Sequence, residues 1–68
     1  MSISNHPDLV EITVDKTLLD AEEKGAVLFR IDSRDLWIPR SCMEDWPDQG
    51  KGGIVLMNES FAIKKGLI

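Results

Sequence analysis

Ala26-Val27-Leu28-Phe29-Arg30-Ile31, Asp32-Ser33-Arg34-Asp35, Leu36-Trp37-Ile38-Pro39-Arg40-Ser41 is the stretch on which the fold turns. Two short apolar runs, rich in β-branched and aromatic residues, flank a polar turn, and the second is stopped by proline. This is the pattern of a β-hairpin. Ser33-Arg34 is poor chemistry for a tight primed turn, which favours Asn or Asp followed by Gly, so the wider loop is preferred. A loop of two or four residues within Asp32–Asp35 is read to pair Ile31 with Leu36, Arg30 with Trp37 and Phe29 with Ile38. Val27, Phe29, Ile31, Leu36 and Ile38 then share one face, suited to a core. Leu28, Arg30 and Trp37 share the other, with the guanidinium placed over the indole. A three-residue loop would flip one strand and bury Trp37 instead.

Outward from the hairpin, Val10, Ile12 and Val14 alternate with Glu11, Thr13 and Asp15, the period of a strand buried on one face. Between them, Asp15–Gly25 supports two readings: one or two helical turns closed by Gly25, or a structured loop. Downstream, Pro39 cannot donate to a sheet ladder, and Ser41–Gly53 is rich in turn residues. Gly53–Met57 reads as a buried strand. Asn58–Ile68 reads as a helix of about two turns, with Asn58 as N-cap, Glu59 and Lys64-Lys65 matched to the helix dipole, and Gly66 as the left-handed stop. The expected fold is mainly β. It is a small single domain, either an antiparallel sheet or an SH3-like or OB-like barrel of three to five strands with a short C-terminal helix. Residues 1–8 are expected to form a flexible arm and residues 9–68 the domain.

The chain has 68 residues, and a domain of that size buries only about 60% of its unfolded surface, so its stability margin is thin. The single cysteine, Cys42, excludes an internal disulfide, and Cys42 with His6 is too few ligands for a zinc site. Self-association is one way to make up the deficit. The opening residues lack a basic leader and an apolar core, and no run approaches the roughly 18 apolar residues of a membrane span. A lone cysteine agrees with a cytoplasmic setting.

Eight bases stand against twelve acids, for a net charge of −4. The excess is confined to residues 1–25, which carry two bases and six acids, whereas residues 26–68 carry six of each. An acidic chain repels phosphate backbones at long range, which disfavours non-specific binding to duplex nucleic acid.

No constellation for catalysis stands out. Cys42 and His6 are the only Cys–His combination, and His6 falls in the expected arm. Asp32 with Asp35, and Glu44 with Asp45 and Asp48, fall in expected turns, where Asp serves local hydrogen bonds. Gly50-Lys51-Gly52-Gly53 lacks the spacing and the Lys-Ser/Thr ending of a phosphate loop. The chain is therefore read as non-enzymatic, with no cofactor and no metal. Arg30, Trp37, Arg40 and Trp46 form the set with functional promise, because Trp and Arg dominate protein-binding hot spots and also stack on single-stranded bases.

The strand Ala26–Phe29, the segment Trp37-Ile38-Pro39-Arg40-Ser41 and the ending Lys64-Lys65-Gly66-Leu67-Ile68 resemble small phage- or prophage-encoded proteins of uncharacterised function. In those, a Trp-Ile-Pro-Lys-Ser-like segment follows a hairpin, and a Glu-Trp-Leu-Ala-type helix precedes a Lys-Gly-Leu ending. The resemblance covers about residues 26–68 and departs at Phe61-Ala62, where the pattern has Trp-Leu, and at Arg40 for lysine. It implies a phage origin, residence in the bacterial host cytoplasm, and a role in replication, host takeover or counter-defence, including inhibition of a target. It carries over no catalytic residue. The expected activity is binding to a host or phage protein, with a homo-oligomer and, less favoured, single-stranded nucleic acid as further partners.

Overall fold

The computed structural model describes residues 8–68, so the expected arm at 1–8, apart from Asp8, lies outside the described residues. Six strands and one helix follow in the order β1 (Leu9–Val14), β2 (Lys16–Ala21), β3 (Ala26–Ile31), β4 (Arg34–Pro39), β5 (Met43–Asp45), β6 (Gly53–Asn58) and α1 (Glu59–Lys64). They form two antiparallel three-stranded sheets, ordered β1–β6–β5 and β2–β3–β4. The mainly β class and the short C-terminal helix match the expectation from sequence. The sheets do not close into a barrel, and two strands beyond the legible four bring the count to six.

The hairpin of β3 and β4 is tighter than its sequence suggests. Its register pairs Ile31 with Arg34, Arg30 with Asp35, Phe29 with Leu36, Leu28 with Trp37 and Val27 with Ile38. Only Asp32 and Ser33 are left in the loop, with φ of 50° and 66°. Two successive positive φ values give the backbone twist of a primed turn, which matches the twist of the strands it joins. Asp tolerates the left-handed region, and the Ser33 N–H donates to Asp15 Oδ2 at 3.4 Å, which ties the turn to the start of β2. The expected pairing of Ile31 with Leu36 is therefore corrected by two residues. A shift of two preserves the faces. Val27, Phe29 and Ile38 are fully buried, whereas Trp37 remains 40% exposed.

Asp15–Gly25 is neither helix nor loop but mostly strand. The chain bends at Asp15, leaves the first sheet and enters the second as β2, which pairs with β3. The register shifts between Thr17 and Leu19, leaving Leu18 as a bulge residue. A 3₁₀ turn at Glu22–Lys24 closes on Gly25, whose φ of 67° fulfils the stop expected of it. The outer edge of β2 is covered by the loop that follows β5. The Thr17 N–H donates to the Lys51 carbonyl and its own carbonyl accepts from the Gly50 N–H, both at 2.8 Å. The Thr17 hydroxyl, fully buried, donates to the Pro47 carbonyl at 3.1 Å. The loop thus satisfies edge groups that would otherwise invite pairing with another chain.

The core lies between the two sheets. Ile12 and Val14 of β1, Val55 and Met57 of β6, and Met43 of β5 meet Val27, Phe29 and Ile31 of β3 and Ile38 of β4. Helix α1 closes one end with Ala62, also buried. Asn58 Oδ1 accepts from the Phe61 N–H at 3.2 Å as N-cap. At the other end the Leu67 N–H reaches the Ala62 carbonyl and the Gly66 N–H the Ile63 carbonyl. With Gly66 at φ 73°, these bonds make a Schellman motif. Leu67 is thereby folded back against the core, on which Phe61 also packs.

Candidate interaction face

The register of the second sheet places residues in cross-strand rows. Leu19 pairs with Leu28, and Leu28 pairs with Trp37, so one apolar row crosses all three strands. Leu19 is 43% exposed and Trp37 40%, with Leu28 half-buried between them. A neighbouring row runs Lys16, Arg30, Asp35. These rows occupy the face turned away from the core.

The expected stacking of Arg30 on Trp37 is not observed. Because the loop has two residues, Arg30 stands opposite Asp35, and its Nε–H donates to Asp35 Oδ1 at 3.1 Å. Leu28 takes the place opposite Trp37, and the cation over the indole is Lys24, with Nζ 5.8 Å from the ring centroid. Both members of the Arg30–Asp35 pair are about half exposed, so the pair contributes well under 1 kcal/mol and serves mainly to hold the two side chains in place.

Arg40 and Trp46 form a second, separate cluster. Arg40 belongs to a 3₁₀ turn after β4, and its guanidinium lies 5.1 Å from the Trp46 ring centroid while pairing with Asp20. Trp46 is half-buried and packs against the core. Its Arg40 partner has one buried nitrogen, Nε, without a hydrogen-bond acceptor. The four residues singled out in the sequence are thus divided: Trp37 and Arg30 share the outer face, whereas Arg40 and Trp46 brace the junction of β2, β4 and β5.

Sequence reasoning missed Leu19 and Lys24. The bulge at Leu18 breaks the alternation of β2, so no period of two marks Leu19 as a surface member of a strand. The adjacent Leu18-Leu19 pair, with Thr17 facing inward, was the available signal.

A cavity of about 230 Å³ lies between the hairpin tip and the C-terminal turn, floored by Ile31, Leu36 and Leu67. Its polar groups, Asp32, Arg34, Asp35 and Lys65, are all exposed side chains, and Asp35 is already paired with Arg30, so the lining offers no buried polar group to orient a ligand. Among the described residues, no three His, Cys, Asp or Glu side chains group as metal ligands would, and no helix is long and apolar enough to cross a membrane. No family model, curated protein or solved structure matches the chain.

Proposed function

We propose that this chain is a non-enzymatic interaction module that binds a host or phage protein through the outer face of β2–β3–β4. The observation that supports this reading is the exposed row Leu19–Leu28–Trp37. Three large apolar side chains side by side on the outer face of a sheet form a patch of the kind found at protein contacts, and tryptophan is enriched among the anchors of such contacts. Arg30 and Lys24 supply a polar rim. The phage-type accessory role, including inhibition of its target, is the part that rests on the resemblance of Trp37–Ser41 and Lys64–Ile68.

Affinity capture from bacterial lysate tests the reading. A specific partner is expected with the wild-type chain and with Ile63→Ala, an exposed apolar position on α1. The same partner is expected to be lost with Trp37→Ala combined with Arg30→Ala. If every captured protein survives the double substitution, the face is not the binding site. A single-stranded nucleic-acid partner is the second reading, supported by the exposed Trp37 indole with Lys24 over its ring and by Lys16 and Arg30 on the same face of the sheet. It predicts Trp37-dependent quenching by a short oligothymidylate that weakens steeply with salt. Absence of quenching at low salt removes it.

A further inference from the structure

Strand β4 is the outer strand of its sheet, and the hairpin register fixes which of its backbone groups look outward. Residue pairs in an antiparallel ladder alternate between bonded and non-bonded, starting from the bonded pair that closes a two-residue loop, here Ile31 with Arg34. Phe29–Leu36 and Val27–Ile38 are then bonded, whereas Arg30–Asp35, Leu28–Trp37 and Ala26–Pro39 are not. The Arg30 carbonyl agrees, since it turns toward β2 and accepts from the Asp15 N–H at 2.7 Å. The N–H and C=O of Asp35 and of Trp37 therefore point away from the sheet. Pro39, which has no N–H, takes the third outward position and ends the usable edge. Among the described residues, no backbone group outside the sheet bonds to Asp35 or Trp37, in contrast to the loop that seals β2.

The cavity at the hairpin tip lies against the same edge. It touches three consecutive residues of β4, Arg34, Asp35 and Leu36. Successive side chains of a strand alternate in face, and Asp35 is turned outward to Arg30. A space that meets all three residues therefore reaches round the unpaired edge of the strand. Its floor is apolar, and its volume of about 230 Å³ is below the roughly 300–1,000 Å³ of small-molecule sites, which suits a single side chain.

We propose that β4 receives an extended segment of the partner protein as a further antiparallel strand, with one apolar side chain of that segment entering the cavity. The proposal rests on the interaction-module reading and states how the partner is held. Main-chain bonds to Asp35 and Trp37 orient the segment, which the cavity's own polar groups do not, and the pocket beside the edge selects its sequence. The segment residue opposite Leu36 faces the cavity. The residue before it stands opposite Trp37 and extends the row Leu19–Leu28–Trp37. The residue two positions after it stands opposite Arg34, an exposed cation that favours an acid there. The β4 strand of a second copy fits less well. Centring a two-fold pair on Asp35 sets like charges opposite each other, and centring it on Trp37 sets Asp35 against Pro39, which has no N–H. Centring it on Leu36 brings up a side chain already packed on its own core.

Amide–water exchange by nuclear magnetic resonance tests this, with the capped peptide Ser-Thr-Val-Leu-Thr-Glu-Thr as probe, its Leu opposite Leu36. A Kd of ~0.5 mM slows exchange of the Asp35 and Trp37 amides about sevenfold at ~3 mM peptide. The Leu36 amide, already bonded to β3, is expected to stay unchanged. N-methylation of the Thr that follows Leu removes a bonding N–H and is expected to abolish the effect, whereas N-methylation of Leu, whose N–H points away from β4, is expected to keep it. Arg34→Glu, folded by its amide spectrum, is expected to prefer the same peptide with Lys for Glu. No slowing at that concentration overturns the proposal, and so does equal slowing by the two N-methylated peptides. Slowing that follows the concentration of the chain alone also overturns it, because a second copy then occupies the edge. If a partner captured through Trp37 leaves both amides exchanging as in the free chain, the outer-face reading stands and the edge pairing fails. If the peptide pairs as described while lysate capture yields no Trp37-dependent partner, the edge stands and the foreign-partner reading fails.

Discussion

Ser33 holds a backbone conformation, φ 66°, that a non-glycine L-residue adopts at a cost of about 1 kcal/mol. Glycine there would relieve that cost while adding some freedom to the unfolded chain, so Ser33→Gly is expected to raise unfolding free energy by about 0.5 kcal/mol in urea titrations. Gly52 is constrained in the opposite sense: a Cβ at that position would overlap the backbone carbonyl of Asp15. Gly52→Ala is therefore expected to lower stability by about 1–3 kcal/mol, since neither backbone segment can yield without breaking the loop's bonds to Thr17. The direction of Trp37 was legible at this scale, because an even loop of either length keeps it opposite Ile38 in face. The partner of Arg30 was not, because two loops of equal parity predict the same faces but different neighbours. Turn propensity pointed to the wider loop. A tertiary bond from Ser33 to Asp15, invisible in the local sequence, accompanies the tighter one.

At the scale of elements, β1, β3, β4, β6 and α1 follow from alternation, apolar runs and capping residues. Helix α1 has only six residues, too few to persist without packing, and its ends are accordingly well fastened. Asn58→Ala is expected to cost about 1 kcal/mol through loss of the bond to the Phe61 N–H, measurable as a lowered urea midpoint with unchanged slope. Strand β2 was hidden for a physical reason. Its bulge at Leu18 interrupts the period of two, and its buried Thr17 is polar, satisfied only by Pro47, Lys51 and Gly50 from a loop about thirty residues away. Thr17→Val keeps the shape but leaves the Pro47 carbonyl without its donor. The expected cost is about 1–2 kcal/mol. With β2 unread, Leu19 and the full width of the apolar row were unread too. Strand β5, three residues long within a turn-rich stretch, carries no pattern long enough to register.

In the whole molecule, one layer of side chains between two small sheets supplies the core, so every member carries a large share of a small total. Ile38, fully buried between them, and Trp37, its neighbour in sequence, therefore face opposite worlds. That contrast holds the account together, because the core requires Ile38 inside and the interaction face requires Trp37 outside. A lysine at position 38 would put an unpaired charge among Val27, Phe29 and Met57, at a cost exceeding the few kcal/mol that hold a domain of this size. A lysine at position 37 would stand in solvent. The most direct test is cooperative unfolding of Trp37→Lys and Ile38→Lys, followed by circular dichroism in urea and by amide dispersion in nuclear magnetic resonance spectra. The account predicts that Trp37→Lys folds with a sharp transition near that of wild type, while Ile38→Lys has no folded baseline. A folded Ile38→Lys, or an unfolded Trp37→Lys, would place Trp37 in the core and remove the face on which the proposed binding depends.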